Sequence, residues 1–317
     1  VYSSSIKLDL QRRDFTINTL AVQLSPSEQM WNILDFYGGI EDLNEGLIRV
    51  LHSLSFVDDP TRILRAVRFS ERLHFVVDPR TADLIKGALP MFKRITGERI
   101  QNEITLILRE NTPERGILKL QALGVLEALH ADFRVSPHLR DYFETCRTVS
   151  FPFACNEQDI TRRYWHMMMI GIPTKSVAEI CDRLGLGQNL IKSMTSTATV
   201  LNHPEDYFAP NLKASERTYQ LERLPLISLE IAWLSLYKEP AKQHILERYI
   251  NHWRHQKPTI NGNDLKQMGL PPGPQYKRIL DAIRAGWIDG DIQNEDQETA
   301  YLHNLIAQET DTPHDGP

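Results

Sequence analysis

The spacing of hydrophobic positions changes character near residue 59. Before it, Phe15–Ala21 is apolar and rich in β-branched residues, Ser25-Pro26-Ser27 carries a turn signal, and Trp31–Phe36 alternates into Asp35-Phe36-Tyr37-Gly38-Gly39. That order predicts a strand or short helix, a turn, and a strand ending at the double glycine. Beyond Asp59 the apolar residues recur three and four apart: Ile63, Val67, Leu73 and Phe75, then Ala82, Leu84 and Ile85, then Ile100, Ile104, Ile107 and Leu108. Such spacing lines one face of a helix, and Pro79, Pro90 and Pro113 punctuate it. Helix then follows helix, with loop signals at Ser136-Pro137, Phe151-Pro152, Gly171–Pro173, His203-Pro204, Pro210 and Pro271–Pro274. The expected fold is mainly α-helical and multi-domain with an N-terminal α/β portion, and Thr310–Pro317 is expected to be disordered.

Composition adds limits. A chain of 317 residues with 41% hydrophobic and 24% charged residues can bury two or more cores. Its longest apolar stretch, Tyr164–Ile172, contains Trp165-His166 and falls short of the ~20 residues a membrane helix needs. Cys146, Cys155 and Cys181 are odd in number and follow no C-x-x-C spacing, so neither a disulfide framework nor a zinc site is predicted and a cytoplasmic setting fits. The first residue is Val1 and the chain enters a patterned segment at once, so it is expected to begin inside a larger protein. The net charge of -5 is unevenly spread: Asp289, Asp291, Glu295, Asp296, Glu298, Glu309, Asp311 and Asp315 crowd an end that lacks Lys and Arg. Without those eight, the 41 acidic residues become 33 against 36 basic ones, a formal +3 that permits a nucleic-acid partner.

The chemistry concentrates in Asp58–Phe69. Asp59 suits an N-cap and Pro60 the first helical position, so a helix starts there. Arg62, Arg65 and Arg68 recur every third residue and wind a guanidinium stripe around it. A carboxylate accepts from an exocyclic amino group while a guanidinium donates to a ring nitrogen. Cytosine and adenine offer that pair of groups; guanine and uracil offer the reverse. Asp59 with Arg62 can therefore admit C and A, while the other arginines suit a triphosphate. The plainer account has Asp59 only capping the helix and the arginines pairing with Asp58 and Glu71, and spacing alone leaves both open. Upstream, Arg12-Arg13-Asp14 abuts apolar residues, where a guanidinium needs a partner such as Asp14 or a bound phosphate. In Gly97–Glu103, Arg99 and Glu103 stand one turn apart, as an intrahelical pair bracing neighbouring helices.

Together RRDFTINTLA (12–21), ILDFYGGIEDL (33–43), SFVDDPTRILRAVRF (55–69) and GERIQNEI (97–104) resemble the class II tRNA nucleotidyltransferase and bacterial poly(A) polymerase family. Asn261–Leu265 and Gly269–Pro274 are similar to its tail, while 125–255 matches only in being helical. The resemblance implies addition of C, C and A, from CTP and ATP, to the 3′ end of tRNA without a nucleic-acid template. It implies the C-terminal part of a polymerase-β-like head at 1–52, a neck at 53–120, a body at 121–215 and a tRNA-binding tail at 216–309. Arg12, Arg13 and Asp14 then fall on ribose and phosphates, Asp59 and Arg62 on the base, and Arg65 and Arg68 on the triphosphate; Asp58 stands where many relatives have Glu. Arg99 and Glu103 form a structural neck motif. The family holds Mg2+ with a Gly-rich loop and an Asp-x-Asp pair, and neither precedes Arg12, so this fragment alone is expected to be inactive.

Asp289-Gly290-Asp291 is read as a solvated turn, and His252 and His255 as surface histidines. The turn Pro271–Pro274 opens a helix beside Lys277 and Arg278, candidates for an RNA phosphate, although a plain turn into a core helix carrying Ile279, Leu280 and Ile283 is the favoured reading. Poly(A) addition and a non-catalytic helical RNA-binding protein stand as alternatives.

Overall fold

A computed structural model describes residues 6–24, 31–152 and 159–310, without the side chains of 308–310. The Ser25-Pro26-Ser27 turn, Cys155 and the stretch after Thr310 lie outside the described residues. The chain forms two compact units, Val1–Thr148 with Asp159–Ala198, and Val149–Gln158 with Thr199–Pro317.

The first unit opens with α1 (Ile6–Gln11), β1 (Ala21–Val22), β2 (Ile33–Leu34), α2 (Gly39–Glu45), β3 (Leu47–Ile48) and α3 (Ser55–Asp58). Phe15–Ala21 is not the regular strand its composition suggests. Phe15 makes a single antiparallel bridge to Val50, and a 3-10 turn follows at Thr16–Asn18. The polar side chains decide this: Thr19 Oγ1 donates to Thr16 O (2.6 Å) and Thr16 Oγ1 to Asp42 Oδ2 (2.5 Å), bonds that compete with a ladder. The double glycine starts α2: Gly38 is left-handed (φ 74°), and a Cβ at Gly39 would stand 2.4 Å from Thr16 O. Asp35 caps this turn by accepting from Gly39 N (2.9 Å) and Ile40 N (3.0 Å).

Then come α4 (Thr61–Leu73), β4 (Val76–Val77), α5 (Pro79–Ala88), α6 (Gly97–Leu108), α7 (Pro113–Ala122), α8 (Val125–Leu129), α9 (Leu139–Thr148), α10 (Ile160–Met168), α11 (Thr174–Leu184) and α12 (Gln188–Asn202), whose residues to Ala198 belong to this unit. β4 pairs in parallel with β3, and β1 pairs antiparallel with β2. The three-four spacing is realised as burial: Ile63, Leu64 and Val67 of α4 and Ile100, Ile104, Ile107 and Leu108 of α6 are fully or almost fully buried. Close approach needs glycine twice: a Cβ on Gly116 would meet Ile107 Cγ2 at 2.7 Å, and one on Gly97 would meet Arg183 O at 2.3 Å. Cys181 lies in this interior, its thiol pushed up to about 12 by burial.

The second unit holds α13 (Glu205–Phe208), α14 (Ala214–Leu221), α15 (Leu226–Ser235), α16 (Pro240–Asn251), α17 (Gly262–Gln267), α18 (Pro274–Asp289) and α19 (Glu295–Thr310). Leu265, Ile279, Ile283, Ile292 and Leu302 form one of its cores. Asp289 is not part of a solvated turn: its carboxylate accepts from Ser215 N (2.8 Å) and Ser215 Oγ (2.7 Å) at the start of α14, while Asp291 is exposed. Among the described residues no helix is long and apolar enough to cross a membrane.

Candidate functional site

Asp59 is extended (φ −144°, ψ 94°) and Pro60 is helical (φ −60°), which makes Asp59 the cap in backbone terms. Its Oδ1 accepts from Thr61 N (3.1 Å) and Thr61 Oγ1 (2.7 Å), and its Oδ2 from Arg99 Nη2 (2.8 Å). Partial burial pushes the acid up, but the Thr61 hydroxyl and Arg99 outweigh it and hold the carboxyl below its ordinary range. Asp59 therefore stays an acceptor.

Arg62 donates from Nη1 to Ser55 Oγ (2.6 Å) and from Nη2 to Arg12 O (3.1 Å), which ties α4 to the segment after α1. Arg65 reaches the same segment, with Nη2 at 2.6 Å from Asp14 Oδ2 and Nη1 at 3.2 Å from Glu103 Oε1. Burial works against its charge, and Asp14 and Glu103 more than compensate. Asp14 itself is buried and fixed by Phe15 N (3.0 Å) and Asn18 Nδ2 (2.8 Å). Arg12 pairs with Asp9 at the surface. Arg13 is exposed and its side chain has no partner among the described residues.

These groups surround one cleft of about 460 Å3, lined by Arg12, Arg13, Asp14, Asn18, Asp59, Arg62, Arg65 and Phe69. Four guanidinium groups against two carboxylates make it formally cationic, and Phe69 supplies an aromatic wall. A ligand that fits carries several negative charges and a flat ring. Of the seven residues expected at a nucleotide, six line this cleft. Arg68 does not: it is 8% exposed, lies 3.5 Å from Glu103 Oε2 and stacks at 4.8 Å over the Phe69 ring.

Two expectations on pairing are corrected. Arg99 and Glu103 do not pair within α6; each crosses to α4 or its cap, Arg99 to Asp59 and Glu103 to Arg65 and Arg68. Asp59 and Arg62 share the cleft without bonding to one another. The partners named for the plainer account are wrong, since Glu71 is taken by Arg115 (2.9 Å) and Lys119 (3.2 Å). Phe69 was not foreseen, although it stands four residues after Arg65 on the same helix face.

In the second unit Lys277 and Arg278 are both exposed in the first turns of α18. Lys277 lines a separate cleft of about 640 Å3 with Tyr219, Glu222 and Arg284. His252 and His255 are exposed as expected. Among the described residues no group of three or more His, Cys, Asp or Glu side chains could hold a metal ion.

Three family models match in chain order: the poly A polymerase head domain at 1–49, the "Probable RNA and SrmB- binding site of polymerase A" at 74–136, and tRNA nucleotidyltransferase domain 2 at 160–300. An A-adding tRNA nucleotidyltransferase of Aquifex aeolicus is 46% identical over 90% of this chain. One of Geobacter sulfurreducens is 32% identical over 94%. The chain spans 35% of the length of each of these relatives. The Thermotoga maritima CCA-adding enzyme complexed with tRNA superposes with a TM-score of 0.69 at 30% identity, over 96% of this chain and 74% of that one.

Proposed function

The chain belongs to the class II tRNA nucleotidyltransferase family, and we propose that it selects the nucleotide and holds the RNA in an enzyme that adds adenosine to the 3′ end of tRNA. The observation that carries this reading is the convergence of Arg12, Arg13, Asp14, Asp59, Arg62 and Arg65 on one cleft. Capacity remains on the two base-reading groups. A carboxylate accepts about four hydrogen bonds, and Asp59 receives three. The Arg62 guanidinium has about five N–H donors and uses two. An adenine amino group completes Asp59, and its ring nitrogen accepts from Arg62. Guanine and uracil would set a carbonyl against the Asp59 carboxylate and leave both sides unsatisfied, at a cost of about 1–3 kcal/mol.

The remaining cations divide the phosphates. Among the described residues the Arg13 side chain has no partner and Arg12 only an exposed one, so both turn to the ligand at little cost. Arg65 is held by Asp14 and Glu103 and serves as a fixed positive wall. Asp14, fixed from three sides, is placed for a ribose hydroxyl. Arg68 supports the wall from behind. The edges that Asp59 and Arg62 recognise are shared by cytosine and adenine. Adenosine is favoured because three curated relatives are named A-adding, at 46%, 32% and 28% identity, and the first of these stands well above the 30% of the CCA-adding structure.

We retain the division into head (1–52), neck (53–120), body (121–215) and tail (216–309), with Lys277 and Arg278 on the tRNA and the protein acting in the cytoplasm. Asp14 and Asp59 are committed to arginine, hydroxyl and amide donors and do not fit the magnesium ions that nucleotidyl transfer employs.

The test uses the complete protein with magnesium, tRNA ending in CC or lacking its whole CCA, and each nucleotide singly. One ATP added to the CC-ending substrate is expected. Addition of CTP to the shorter tRNA indicates CC or CCA addition, a ladder of adenosines indicates poly(A) addition, and no incorporation leaves RNA binding without catalysis.

A further inference from the structure

Helix α4 ends at a second polar cleft of about 520 Å3, lined by Glu71, Arg72, His74, Arg109, Glu110, Asn111 and Thr112. Arg72, His74 and Arg109 are exposed, and none of their side chains has a partner among the described residues. Of the two carboxylates in the lining, Glu71 is already neutralised by Arg115 and Lys119, and the half-buried Glu110 faces two guanidinium groups, which leaves one net positive charge. The ten-residue helix α7 also begins here: Thr112 stands at its cap without a side-chain hydrogen bond, and Pro113 occupies its first turn. Pro113 has no N–H and Arg115 N donates to Thr112 O (3.2 Å), so of the first three positions only Glu114 N is left to another acceptor. His74 adds a local oddity, because it occupies the left-handed region (φ 58°) where glycine is the usual residue at a helix end.

We infer that this cleft is a second anion site, taking a backbone phosphate of the RNA whose 3′ end is presented to the nucleotide cleft. The inference rests on the proposed function and adds a site to it. Arg65 in the nucleotide cleft and Arg72 here stand seven residues apart, nearly in line on α4. Their separation of about 10 Å equals the rise of about three stacked nucleotides. Unpaired guanidinium groups at an uncapped helix start suit phosphate oxygens. A purely structural use exists, since Arg72 and Arg109 also lie at the C-terminal ends of α4 and α6, where cations favour the helix dipole. That use would alter folding and leave RNA affinity untouched.

The experiment measures binding of tRNA lacking its terminal adenosine to the complete protein over a range of salt concentrations. Wild type is compared with the double substitutions Arg72→Ala/Arg109→Ala and Arg72→Lys/Arg109→Lys. ATP affinity is measured on each, and pyrophosphate serves as a second probe. The alanine variant is expected to bind RNA about sixfold more weakly per lost contact near 0.1 M salt, with a slope of log K against log salt shallower by about 0.7–0.9 per contact. The lysine variant restores most of both, and ATP affinity does not change. Unchanged RNA affinity and slope in the alanine variant overturn this site and leave the proposed function standing. Loss of pyrophosphate binding alone makes it a free-anion site and overturns the RNA assignment. Failure of the wild type to bind tRNA removes the proposed function as well.

Discussion

Arg65 and Arg68 follow one another in the same stripe yet do different work. A step of three residues advances about 300°, so Arg68 lies about 120° around the helix from Arg62 and turns out of the cleft into the interface between α4 and α6. Arg68→Met is therefore expected to cost about 2 kcal/mol of unfolding free energy, measured in urea, because the Glu103 carboxylate loses a buried counter-charge 3.5 Å away, while ATP affinity stays within about twofold. Arg13→Ala should do the reverse: with no side-chain partner to abandon among the described residues, it leaves the melting temperature in place and weakens ATP binding about tenfold in calorimetry. His166 supplies a pH test. Burial holds its pKa down to about 4 from 6.5. Above pH 6.5 neither folded nor unfolded chain is protonated there. Between 6.5 and about 4 only the unfolded chain takes the proton, so stability falls by about 3 kcal/mol across that window. Urea unfolding at a series of pH values should show the decline, and His166→Gln should flatten it. At this scale Asp59 was legible because a cap before a proline has a local pattern. The burial of Arg68 was not, because it depends on α6, which is remote in sequence.

At the scale of elements, the helices were legible wherever one face is buried. Ile63 and Val67, and Ile100, Ile104 and Ile107, keep the period in sequence because a partner helix imposes it in space. The short strands were not. β4 is two residues long and exists because His74 turns the chain so that Val76 N reaches Gly46 O (2.8 Å). Phe15–Ala21 has strand composition but spends its polar side chains on Asp42 and on its own turn. The Arg99–Glu103 pair failed for a related reason: residues four apart can meet, but the stronger partners across to α4 took both. Gly97 tests how tightly α6 is placed. Gly97→Ala sets a methyl against backbone carbonyl Arg183 O, and is expected to cost about 1–3 kcal/mol in a thermal melt.

For the whole molecule, the proposed nucleotide selection falls to the first unit, where one cleft gathers residues from the segment after α1, from the cap of α4 and from α4 itself. Two of the four quoted motifs carried this grouping in sequence, since 12–21 and 55–69 each set Arg and Asp beside an apolar run, and both line the cleft. The helical stretch between the motifs and the tail held no such signal. Its residues pack and cap, as Asp289 does for α14. The most direct measurement is competition between ATP and UTP for a tRNA ending in CC, with the complete protein and its Asp59→Ala and Arg62→Ala variants. Preference for ATP is expected to fall by about tenfold or more in each variant, since each removes about 1–3 kcal/mol of edge recognition. Variants that lose rate but keep the wild-type preference for ATP over UTP would contradict the assignment of base selection to Asp59 and Arg62.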